Sequence, residues 1–209
     1  MTGPQGVRAA GAASEARSDP PVILVDADDV DLGDAGKLEA HERGALHRAV
    51  SVFAFDREGQ LLLQRRAREK YHSGGLWSNS ACTHPRRGES LEDAARRCVR
   101  EELGVECAEL TRRFSFIYRA QVSPSLVEHE LDHVFIATVD DAPSPDASEV
   151  EAWRLVGVRE VAREVAASPS TFSAWFPIAL ALLEETGNAT GSALEENARD
   201  TSGSAAAGT

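Results

Sequence analysis

The segment "ESLEDAARRCVREELGVE" (residues 89–106) reads as one helix with both ends marked. Ser90 is a good N-cap with Asp93 three positions on, and Gly104 is a stop signal, so the helix runs from about Ser90 to Leu103. Charged residues on a helix ordinarily form a solvated face. The spacing here is more particular: Glu89, seven residues, then Arg97-Cys98-Val99-Arg100-Glu101-Glu102-Leu103-Gly104-Val105.

Around this helix the chain is rich in strand signals. "PVILVDADD" (21–29) is a short apolar strand ending in acidic turn residues. "HRAVSVFAF" (47–55) and "QLLLQRR" (60–66) are strands joined by "DREG", a hairpin signal. Residues 67–88, with Gly74, Gly75 and Pro85, read as loop. "FSFIYRAQ" (114–121), "LDHVFIATV" (131–139) and "EAWRLV" (151–156) are further strands, and "FSAWFPIALALLEET" (172–186) is an amphipathic C-terminal helix. Strands and helices do not alternate regularly, so the class is α+β, a sheet with helices packed on it, and not a doubly wound fold.

Length bounds this to one substantial domain of the 209 residues, with a folded part at about 21–185. Residues 1–20 and 186–209 are low in complexity and are expected to be disordered tails. A net charge of -12 argues against a nucleic-acid partner, and no apolar run is long enough for a membrane span. The N-terminus lacks the apolar core of a secretory signal, and three cysteines without a dense pattern do not make a disulfide scaffold. The expected location is therefore the cytoplasm, with Cys82 as a free thiol. The oligomeric state is not legible.

Several separated residues carry metal and acid–base chemistry. "KLEAHERGALH" supplies Lys37, His41 and His47, "NSACTHP" (79–85) supplies Cys82 and His84, and "YRAQVSPSLVEHELDHVF" supplies Tyr118, Glu128 and Glu130. A lone histidine is ordinarily a core or surface residue. Together, three imidazoles and an E-x-E pair whose side chains point the same way on a strand make an N3O2 donor set. Such a set suits an octahedral divalent ion such as Mn²⁺, Mg²⁺ or Zn²⁺.

The helix segment resembles the Nudix box, G-x5-E-x7-R-E-U-x-E-E-x-G-U with U aliphatic, a carboxylate array that holds Mg²⁺ against a diphosphate. Two positions depart: Thr83 replaces the first Gly, and Cys98 the first Glu of R-E-U. The implied fold is a Nudix-like mixed β-sheet sandwiched between helices. Across about residues 22–180 the chain is similar to the type I isopentenyl-diphosphate Δ-isomerases. The likeness rests on Lys37/His41/His47, "LLLQRRAREK", "GLWSNSACTHPRRGES", "REELGV", "YRA", "VEHE" and the "SAW" ending at Trp175. Five residues separate His41 from His47, where six are common.

The resemblance implies an isomerase that moves a double bond in a five-carbon diphosphate by protonation and deprotonation through a tertiary cation-like state. Cys82 and Glu130 match the two catalytic positions, and Tyr118 would hydrogen-bond Glu130. His41, His47, His84, Glu128 and Glu130 would hold Mn²⁺ or Mg²⁺, or alternatively Zn²⁺. Glu102 would help hold a substrate-borne Mg²⁺. Lys37, Arg66 and Lys70 match positions that contact the diphosphate. A further arginine of the motif falls at Cys98, with Arg97 beside it. Trp175 matches a tryptophan that lies over the substrate; a core tryptophan of the last helix is the other reading. A Nudix pyrophosphohydrolase of a small diphosphate is the alternative enzyme, and a non-catalytic Nudix-fold sensor the alternative of another class. The partner in the first two readings is a small-molecule diphosphate.

Overall fold

A computed structural model describes residues 20–186, so the expected tails lie outside the described residues except for Pro20 and Thr186. In chain order the elements are β1 (Val22–Val25), β2 (Asp31–Ala35), α1 (Lys37–Arg43), β3 (His47–Phe55), β4 (Leu61–Arg66), β5 (Trp77–Ser78) and β6 (Ala81–Thr83). There follow α2 (Leu91–Leu103), β7 (Glu109–Ser123), β8 (Leu126–Thr138), β9 (Val150–Val156), α3 (Val158–Ala167), a 3₁₀ turn (Pro169–Thr171) and α4 (176–186). The strands form one mixed sheet. β3 runs parallel to β8 and antiparallel to β1, β4 and β6, while β7 pairs with β8 as a long hairpin and β9 with β4.

Strand periodicity divides the core into two layers. Val50, Val52 and Ala54 of β3 pack with Ala94, Cys98, Val99 and Leu103 of α2, whereas Phe53 packs on the other side with Val161 of α3 and Phe176, Ala179 and Leu180 of α4. Leu62 joins the first layer and its neighbours Leu61 and Leu63 the second. Successive side chains of a strand point to opposite faces, and each large apolar side chain taken from water contributes about 1.5–3 kcal/mol. This is the expected sheet between helices.

Both ends of α2 fall where its sequence predicts. The Ser90 hydroxyl accepts from the Asp93 amide at 3.0 Å, and Gly104 adopts φ 67°. A Cβ at 104 would collide with the Ser144 carbonyl oxygen, so glycine is required there twice over.

Other elements correct the expectations. The segment 67–88 is not all loop: it contains β5 and β6, and Cys82 lies on β6 opposite Ser51 of β3. β2, α1 and α3 were not foreseen. The strand expected at 131–139 begins at Leu126, which brings Glu128 and Glu130 inside it. The last helix starts at 176 rather than 172, with Pro177 in its first turn, where a missing N–H costs nothing. Among the described residues no helix is long and apolar enough to cross a membrane.

Candidate active site

Sheet register assembles the site. Glu130 on β8 stands opposite His47 on the parallel neighbour β3 and opposite Tyr118 on the antiparallel neighbour β7. Glu128, Glu130 and Asp132 alternate onto one face of β8, as E-x-E-x-D on a strand must. His41 arrives from α1, whose left-handed C-cap Gly44 turns the chain back into β3.

The histidines leave bare nitrogens pointing at the carboxylates. The Nδ1–H of His47 donates to the Ala45 carbonyl at 2.9 Å, and its Nε2 lies 3.5 Å from Glu130 Oε1. His41 Nδ1 is 2.9 Å from the Tyr71 hydroxyl, and its Nε2 is 3.4 Å from Glu128 Oε2. His84 Nε2 is 3.0 Å from Glu130 Oε1. Three of these atoms, His41 Nε2, His47 Nε2 and Glu128 Oε2, are buried without any hydrogen-bond partner. A polar atom left so costs about 1–3 kcal/mol, and coordination to a divalent cation is a partner that such donors suit. Donor atoms of His41, His47, His84 and Glu130 lie within 4.8 Å of one another, and so do those of His41, His72 and Glu128. The residues therefore fit a divalent metal.

The electrostatics agree. Burial pushes His84 down to about 4, so its imidazole is neutral, the form that ligates. Burial opposes the charge on Glu130, but the His47 and His84 imidazoles facing it outweigh that and hold the carboxyl well below the usual range. Its second oxygen, Oε2, accepts the Tyr118 hydroxyl at 2.7 Å.

A cavity of about 980 Å³ opens beside this cluster, lined by Cys82, His84, Tyr118, Glu128, Glu130, Glu102, Lys37, Arg66, Lys70 and Trp175 among others. His41 and His47 are fully buried and do not line it. Every candidate residue named from the sequence thus belongs to this cavity or to the cluster at its wall. Cys82 is a free thiol whose Sγ lies 3.7 Å from Arg66 Nη1. Burial and then the Glu102 charge push that thiol up, against the opposing pull of Arg66. Burial likewise raises Glu102 to about 7, despite the Gln64 amide donating to it at 2.7 Å. Lys70 pairs with Glu149. Trp175 lies just before α4; it is buried in the α3/α4 layer, donates its indole N–H to Asn79 Oδ1 at 2.9 Å, and lines the cavity.

Cys98, one of the two departing box positions, and its neighbour Arg97 both have structural partners at the cavity wall. Cys98 is a core residue whose thiol contacts the Ala95 carbonyl. Arg97 lines the cavity with its guanidinium already paired. Its guanidinium is committed to Glu89 (2.7 and 2.9 Å), Glu101 (3.1 Å) and the His84 carbonyl (3.1 Å), which bolts the His84 loop onto α2.

Sequence reasoning missed His72, whose Nε2 lies 2.7 Å from Glu128 Oε1. It also missed the buried pair Ser51–Asp132, where the hydroxyl donates at 2.7 Å, and the anchoring role of Asn79. Alternation from Glu130 gives Asp132. Nothing periodic marks His72.

Comparison with known proteins decides the family. The NUDIX domain family model matches residues 45–176. An isopentenyl-diphosphate Δ-isomerase 2 from Aromatoleum aromaticum is 52% identical over 159 residues, spanning 76% of this chain and 84% of that protein. The chain belongs to the isopentenyl-diphosphate Δ-isomerase family. A second member of this isomerase family, from Pectobacterium atrosepticum, is 44% identical over 164 residues, 78% of this chain and 91% of its own. Solved structures share the fold. A protein from Deinococcus radiodurans aligns with TM-score 0.63 at 22% identity, covering 77% of this chain and 96% of that one. The MutT protein of Methanosarcina mazei Go1 aligns at 0.55 with 17% identity, covering 68% and 95%.

Proposed function

We propose that this chain interconverts isopentenyl and dimethylallyl diphosphate, with Cys82 and Glu130 as the two proton-transfer groups. The observation that carries the reading is that a protonated thiol and an ionised carboxylate, on different strands, face one cavity that is also lined by Arg66, Lys70 and Lys37. The names of the relatives support the same substrate.

An unactivated alkene must gain a proton at its terminal carbon, which leaves a tertiary cation-like centre. Loss of a proton from the neighbouring methylene then completes the shift, with no net change in protons. Two groups on opposite sides of the chain, one giving and one taking, satisfy this in either direction. Tyr118 steadies Glu130 by holding Oε2. Trp175 lines the cavity, where a π face would be worth about 0.5–2 kcal/mol to a developing cation and would shield it from water.

His41, His47, His84, Glu128 and Glu130 would hold a Mn²⁺, Mg²⁺ or Zn²⁺ ion. Bound there, the cation would fix the Glu130 carboxylate and lower its proton affinity. Glu102 would help hold Mg²⁺ on the diphosphate, with Arg66, Lys70 and Lys37 neutralising the remaining charge.

Incubation with isopentenyl diphosphate and Mg²⁺ tests the reading. Formation of the acid-labile allylic diphosphate is the expected result. Phosphate release without that product would contradict it and favour a Nudix hydrolase.

A further inference from the structure

We propose that His72 is a positioning residue that fixes the Glu128 carboxylate for the metal, from the same short strap between β4 and β5 (residues 67–76) that carries Lys70. The inference rests on the metal site proposed above.

Glu128 is buried, with its two oxygens in different circumstances. Oε2 faces His41 Nε2 at 3.4 Å and has no hydrogen-bond partner. Oε1 lies 2.7 Å from His72 Nε2. An ionised carboxylate only accepts, so His72 Nε2 carries the proton and donates. The other ring nitrogen, Nδ1, then accepts from the Ser73 hydroxyl at 3.2 Å. Neither nitrogen of His72 has a lone pair left for a cation. It restrains one oxygen so that the other is presented singly to the metal. Left unrestrained, the carboxyl could rotate and exchange its oxygens.

The adjacent residue does the same for a different ligand. Tyr71 Oη is 2.9 Å from His41 Nδ1, and when that nitrogen carries the proton and donates to the phenol oxygen, Nε2 is left bare. Two consecutive strap residues thus orient one ligand from α1 and one from β8. Outer partners of this kind are worth about 10–100-fold in metal affinity. A histidine is used because its Nε2 reaches the carboxylate from a ring wedged against Tyr71 (centroids 4.4 Å) and Trp175 (6.3 Å).

The test is Mn²⁺ binding to the metal-free full-length protein, read by the loss of the free-ion electron paramagnetic resonance signal, without substrate. Variants are compared at a temperature where each is folded in excess chelator. His72→Ala is expected to weaken Mn²⁺ binding by about 10–100-fold. His72→Gln, whose side-chain amide can still donate to Glu128, is expected to stay within about threefold of the parent. His72→Ala binding as tightly as the parent would overturn the proposal. Equal weakening in both variants would also overturn it, since a direct ligand or a packing role would then explain the loss. Failure of the isomerase reading would show instead as absence of allylic product from the unmodified enzyme, leaving this binding result interpretable.

Discussion

Tyr118 and Glu130 face each other across the β7–β8 ladder, and the phenol donates to Oε2 at 2.7 Å while Oε1 turns to His47 and His84. One carboxylate therefore serves two neighbours through two separate oxygens. Burial, followed by the Glu130 charge, keeps the phenol protonated by raising it well above its ordinary value, so it remains a donor at any working pH. Tyr118→Phe removes a hydrogen bond to a charged group, a loss of about 1.5–3 kcal/mol. The expected outcome is a fall in kcat of roughly 10–150-fold with little change in KM, measured by steady-state kinetics. An unchanged kcat would remove Tyr118 from the account.

Glu102 sets a pH limit on magnesium. Burial raises its folded-state value to about 7, so below that pH the group is mostly protonated, and Mg²⁺ must displace the proton. Apparent Mg²⁺ affinity should therefore decline as pH falls below about 7, approaching tenfold per unit, and level off above it. Mg²⁺ titrations of the rate from pH 5.5 to 8.5 check this. Glu102→Gln should bind Mg²⁺ more weakly throughout and lose the bend.

Arg97 and Cys98 are neighbours with opposite importance. Arg97→Ala leaves the half-buried Glu89 without its partner and frees the His84 loop. It is expected to cost about 3 kcal/mol in urea unfolding and to weaken metal binding as well. Cys98→Ala trims a core side chain at the cavity wall whose sulfur is engaged by the Ala95 carbonyl. It should cost about 1 kcal/mol and leave kcat within threefold of the parent.

Much of this was legible in the sequence because strands and helices impose periods. The "DREG" turn joined β3 and β4 as an antiparallel pair, and the E-x-E pair on β8 put Glu128 and Glu130 on one side, as found. Ser90 and Gly104 bounded α2. What escaped lacked a period or was too short for one. β5 and β6 hold two and three residues, set among glycines, and exist because β3 and β4 offer them partners. α1 is only seven residues, held by the turn at Gly44. α3 did carry a signal, with Val158, Val161, Ala162 and Val165 at helical spacing, and it went unread. His72 had none: its role follows from the strap's path past Glu128, which no local pattern encodes.

The most direct measurement is turnover of isopentenyl diphosphate by Cys82→Ala, with circular dichroism and Mn²⁺ binding matched to the parent. A thiol acting on carbon predicts a loss of at least about 10⁴-fold in kcat with metal affinity preserved. A variant that kept its rate within tenfold would contradict the account, for Glu130 would then be working without a partner across the substrate.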